Sequence, residues 1–162
     1  MNSGNIIAIY ALALTFYGLY ATRRHNRLSV TPHICSCRSR LATNGGVTFA
    51  YDISNNGIGP ARITSFVLLR DGKPFPRGKG EYVEALFSDI IGDKLKCQFS
   101  RSLSLGENTS MRAGDTARLV EIFIPGATPA DELKFQELLS TAHIRIEYES
   151  FYGKRFAYDS RD

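Results

Sequence analysis

The stretch NGGVTFAYDISNNGIGPARI, residues 44–63, decides the fold class. Val47, Phe49, Tyr51 and Ile53 alternate with Thr48, Ala50 and Asp52, and a period of two puts the apolar set on one face of a strand. Asn44-Gly45-Gly46 and Asn55-Asn56-Gly57 bracket the strand with turn residues. The segment Asn55 to Ala61 has the glycine content of a phosphate loop. It lacks the Lys-Ser/Thr ending, however, and precedes a strand, so no helix N-terminus awaits an anion. It reads as a tight turn in which Gly57 and Gly59 take positive φ and Pro60 sets the entry to the next strand.

Working outward, similar short apolar segments recur. Leu28, Val30, Pro32 and Ile34 alternate, with Pro32 marking an edge strand because it cannot donate to a ladder. Ala61 to Leu69 is dense enough in Ile63, Phe66, Val67, Leu68 and Leu69 for burial on both faces, and it stops at Asp71-Gly72. Over 81–91 the period changes, and Val83, Leu86, Phe87, Ile90 and Ile91 fall at helical spacing before Gly92. Lys96 to Leu105 and Thr116 to Ile124 are further strands. Thr128-Pro129-Ala130-Asp131 supplies a cap, a proline and an acid for a second helix reaching about Ala142, with Phe135, Leu138 and Leu139 on its stripe. Ile144, Ile146 and Tyr148, then a turn at Phe151 to Lys154, then Phe156 and Tyr158 make a terminal hairpin. Six or seven strands with two short helices predict a mainly β chain, an antiparallel sandwich of immunoglobulin-like type.

The first 22 residues carry no charged side chain, and Ile6 to Ala21 reads IIAIYALALTFYGLYA. The expectation is a membrane-spanning helix over 1–22, a basic juxtamembrane stem over 23–27 and the sandwich domain over 28–162. Tyr17, Tyr20, Arg23, Arg24 and Arg27 are placed to sit at the membrane interface. A cleaved signal peptide carries its positive charge before the apolar run, whereas here the charge follows it. The same asymmetry predicts the N-terminus outside and the C-terminal domain in the cytoplasm.

Of the 20 basic residues five lie at positions 23–40 without an acid among them, which leaves 15 against 16 acids from residue 41 onward. The excess behind the net charge of +4 is therefore juxtamembrane. A lipid bilayer is the expected partner of that excess, and nucleic acid is disfavoured. Three cysteines, Cys35, Cys37 and Cys97, are too few for a disulfide framework. His33, Cys35 and Cys37 alternate on one strand face, but positions i and i+4 are roughly 13 Å apart, too far to share one zinc ion. His25, His33 and His143 lie in unrelated segments and make no recognisable catalytic constellation. No catalytic residue, cofactor or metal is expected. Arg62, Arg70, Lys73, Arg77 and Lys79 form a cationic group that could hold a small anionic ligand or a partner.

NNGIGPARI at 55–63 and IEYESFYGKRF at 146–156, after an N-terminal apolar segment and basic stem, resemble a recurrent group of membrane-anchored bacterial β-sandwich proteins. These share an N-x-G-x-G-P-A turn and a late Y-x-x-x-x-G hairpin. The resemblance implies a sandwich at a bacterial inner membrane, and brings no activity or site residue with it. The function expected from these readings is a non-catalytic, membrane-anchored protein-interaction module or accessory subunit. The alternative is a membrane-tethered sensor of a small anionic ligand.

Overall fold

A computed structural model describes residues 3–78 and 81–161. Helix α1 (Ser3–Leu28) leads into nine strands: β1 (Ile34–Thr43), β2 (Gly46–Asn55), β3 (Ala61–Arg70), β4 (Lys73–Pro74), β5 (Gln98–Ser102), β6 (Ser110–Met111), β7 (Thr116–Pro125), β8 (Ala142–Ser150) and β9 (Arg155–Asp159). Helix α2 (Tyr82–Ile91) follows β4, and α3 (Pro129–Leu139) joins β7 to β8. All pairings are antiparallel. One sheet runs β1-β2-β7-β5 and the other β4-β3-β8-β9, with β6 also paired to β3.

The period-two reading of 47–53 corresponds to β2, whose Tyr51 and Ile53 join Val120 and Ile122 of β7 and Ile146 and Tyr148 of β8 in one core. Two bulges explain where strict alternation fails. On β3 the register slips between Ile63 and Ser65, so the buried set changes from Ala61 and Ile63 to Phe66 and Leu68. On β7 the register skips Leu119 opposite the Tyr51–Asp52 step, and both Leu119 and Val120 are buried. The β3–β4 hairpin turns at Asp71 (φ 50°) and Gly72 (φ 77°), where Asp-Gly suits two positive φ angles.

Helix α2 buries Tyr82, Val83, Leu86, Phe87, Ile90 and Ile91, the stripe its period predicts. Helix α3 starts with a capping box, in which the Asp131 N–H donates to Thr128 Oγ1 at 3.3 Å and the Thr128 N–H donates to Asp131 Oδ2 at 3.0 Å. It ends at Leu139, three residues earlier than its apolar spacing suggests, and Ala142 is already the first residue of β8.

Two N-terminal expectations need correction, and a third, the membrane-spanning helix, is not supported. The basic stem is not a separate segment, because α1 continues through Arg23, Arg24, His25 and Arg27 to Leu28. The strand expected from Leu28 begins only at Ile34, and the intervening residues form a linker with Pro32 buried. Finally, no helix among the described residues is both long and apolar enough to cross a membrane. Helix α1 has 26 residues, about 39 Å of helix. Tyr10, Thr15, Tyr17, Gly18 and Tyr20 dilute its apolar character.

Candidate functional site

The sequence-predicted cations do not form one site. Arg62 and Arg70 lie eight residues apart on β3, roughly 26 Å along an extended strand. Arg62 is ion-paired with Glu149 on the neighbouring β8, and Arg70 with Asp89 of α2. Arg77 donates to the Phe66 carbonyl at 2.8 Å and lies 5.4 Å over the Tyr82 ring. Lys73 is exposed on the two-residue β4, and Lys79 lies outside the described residues. A strand register thus spreads across the fold what looked clustered along the chain.

Cys35 and Cys37 share the outer face of β1, opposite Ser54 and Asp52 of β2. Cys97 precedes β5, at the far edge of the same sheet, about 14 Å away by strand spacing alone. Burial pushes the Cys97 thiol pKa up. Among the described residues no group of three His, Cys, Asp or Glu could hold a metal ion. His25 is on α1, His33 in the linker and His143 on β8 opposite Leu69, so the structure does not assemble them.

Two features that the sequence does not single out are built instead. The first is the buried Asn55, at 0% exposure. Its side-chain carbonyl accepts the His33 and Gly57 backbone N–H groups, each at 3.1 Å. Its amide donates to the carbonyls of Gly59 (2.8 Å), Met111 (3.1 Å) and Arg112 (3.1 Å). The backbone adds Asn56 N–H to His33 C=O at 2.8 Å and Ile58 N–H to Thr31 C=O at 3.1 Å. The turn therefore grips the linker that arrives from α1.

The glycines of this turn serve close approach, contrary to the expectation of positive φ, since neither Gly57 nor Gly59 adopts it. A Cβ on Gly57 would lie 2.3 Å from His33 N, and one on Gly59 2.0 Å from Val30 O. Nothing at positions 55–61 alone announces this, because the gripped strand of backbone lies more than twenty residues upstream.

The second feature is a cavity of about 320 Å3 between the sheets, under α3 and beside α2. Phe49, Phe87, Ile122, Phe135 and Ile144 supply apolar walls. Phe49 and Phe135 hold their rings 4.5 Å apart, which fastens α3 over the opening between β2 and β8. Arg38 and Arg40 also line the cavity, and the register explains why. Arg38 stands opposite Tyr51 and Arg40 opposite Phe49, and directly opposed residues share a face. The edge strand thus turns two arginines toward the inner side of the sandwich, on the face that carries Ile34 further down.

Arg40 is held by Glu132 of α3 through two hydrogen bonds, Nε to Oε2 at 2.6 Å and Nη2 to Oε1 at 2.7 Å. That pairing raises the Arg40 pKa and lowers that of Glu132. Arg38 lies 5.6 Å from the Tyr51 ring centroid and pairs with no carboxylate among the described residues. Tyr51 is buried, and its hydroxyl has no hydrogen-bond partner. It lies near enough to Tyr158 to help raise that phenol. The Tyr158 hydroxyl donates to Ser36 Oγ at 2.6 Å, and burial pushes its pKa up to about 12.

No protein-family model matches the chain, and no curated protein matches it.

Proposed function

We propose that this chain is a membrane-anchored binding domain without catalysis of its own, acting as an interaction module or accessory subunit of a complex at the bacterial inner membrane. The observation that carries this reading is the exposure of α1. Ile7, Ile9, Leu12, Leu14, Phe16 and Leu19 are each more than half exposed and lie on several sides of the helix axis. A helix that is apolar on several sides and, among the described residues, contributes nothing to the domain core needs an apolar medium. A bilayer supplies one.

The ends and the polar groups of α1 fit this placement. The Thr15 hydroxyl donates to the Ala11 carbonyl at 2.8 Å, so it brings no unpaired donor into lipid. Tyr17, Tyr20, Arg23, Arg24 and Arg27 gather at the domain end, where rings and cations favour the headgroup region. Because tyrosines dilute its apolar character, α1 is a weak anchor by itself, and its basic end adds attraction to anionic lipid. On this reading the positive-inside bias favours an N-terminus outside and a domain in the cytoplasm.

The strand order supports the immunoglobulin-like form of the sandwich. β1-β2-β7-β5 facing β9-β8-β3-β4 follows the ABED and GFC order of that fold, with α2 in the crossover between the sheets. The separation of the histidines and cysteines supports a binding role over a catalytic one. Affinity capture of the full-length protein from membranes in mild detergent tests the reading. A stoichiometric protein partner, identified by mass spectrometry, is the expected result, and repeated recovery of the chain alone contradicts it.

A further inference from the structure

We propose that the cavity between the sheets is a binding site for a single unbranched acyl chain ending in a carboxylate, with the chain among the apolar walls and the head group at Arg38. The inference goes beyond the interaction-module reading and stands independently of α1, because every group it uses belongs to the β domain.

Three observations converge. The volume of about 320 Å3 is at the lower end of ligand pockets and holds roughly ten water-sized groups, the bulk of a chain of about ten carbons. A cavity walled by phenylalanine and isoleucine side chains is unfavourable for water and favourable for alkyl groups. Such a space selects an apolar ligand by size.

The polar groups then specify the head. Arg40 is already neutralised by Glu132, whereas Arg38, two residues earlier on the same strand face, has no carboxylate opposite it among the described residues. A carboxylate at the rim supplies that counter-charge, accepting from the Arg38 guanidinium. A neutral ester or alcohol would leave the cation without a counter-charge. A chain much longer than about ten carbons would exceed the volume and leave its end outside.

The test is photo-crosslinking of the full chain in phosphatidylcholine nanodiscs with a decanoic acid carrying a chain-terminal diazirine, and with its methyl ester, adducts being mapped by mass spectrometry. The acid is expected to label the segments holding Phe87, Ile122 or Phe135, to be displaced by excess decanoate, and to exceed the ester there. Arg38→Gln, a change on an exposed side chain, is expected to cut this labelling about tenfold, the loss of one charge-assisted contact. Labelling confined to α1 would overturn the cavity as the site. Equal labelling by acid and ester, or no effect of Arg38→Gln, would overturn the carboxylate as the head group.

Discussion

The Asn55 side-chain carbonyl accepts the His33 backbone N–H at 3.1 Å, joining residues 22 positions apart at the point where the linker from α1 meets the domain. Asn55 satisfies five backbone groups at once and is itself fully enclosed. It is the rivet between the helix and the sandwich. Asn55→Ala leaves buried N–H and C=O groups without partners, and is expected to cost about 3 kcal/mol of stability. Asn55→Asp, nearly the same shape, replaces the amide donor by an oxygen facing three carbonyls, and is expected to be as destabilising at neutral pH. Denaturant unfolding of the full chain measures both.

Gly59 packs its Cα against Val30, with no room for a methyl group. Gly59→Ala must push the linker off the turn or distort the turn itself. The expected outcome is faster proteolytic cleavage within residues 29–33 than in the native chain. Gly72→Ala makes the comparison informative, because Gly72 has open space around its Cα and differs only in its positive φ. That variant is expected to lose some stability without exposing the linker.

Two of the three thiols should separate by reactivity. Cys37 is exposed, and Cys97 is half-buried with its pKa raised by burial. Thiolate is the nucleophile, so raising a thiol pKa lowers its reactive fraction. At pH 8, iodoacetamide is expected to modify Cys37 well before Cys97, as read by mass spectrometry of timed samples. Cys97 reacting first would contradict the packing around β5.

Asp159 sits between Arg161 and Arg145, with Arg161 Nε donating to its Oδ1 at 2.8 Å and Arg145 Nη2 to its Oδ2 at 3.0 Å. The Arg161 hydrogen bonds, aided by Arg145 and opposed by partial desolvation, hold its carboxyl well below the usual carboxylate range. A carboxyl more acidic in the folded chain than the roughly 3.9 of an unfolded one stabilises the fold above that value and ceases to do so as the pH falls through the folded value. Asp159→Asn is therefore expected to lower the melting temperature at pH 7, and the gap from the native chain should shrink as the pH falls below about 4. A constant gap across that range would mean that the charge is not what holds the β9 end.

Local patterns carried most of the β domain. The alternation of β2, the helical period of α2, the proline and acids opening α3 and the terminal hairpin were all legible, because each depends on side chains near one another in sequence. What was not legible depended on register. Arg62 and Arg70 look like one cationic cluster until β3 separates them, and Arg38 counts with the juxtamembrane basic excess until pairing with Tyr51 places it on the inner face of β1. The bulge at Leu119 and the grip of Asn55 on His33 have the same character, since each needs a partner chosen by the tertiary fold. At the N-terminus the error was one of period. Residues 23–28 continue a helix already in progress, and neither the run of charge nor Leu28 interrupts it.

The central claim, that α1 holds this domain on a membrane, is tested most directly by alkaline carbonate extraction of membranes containing the full-length chain. The protein is predicted to remain in the membrane pellet, and to float with lipid on a density gradient afterward. Release into the soluble fraction would contradict the anchor and leave the exposed apolar sides of α1 to be covered by another protein.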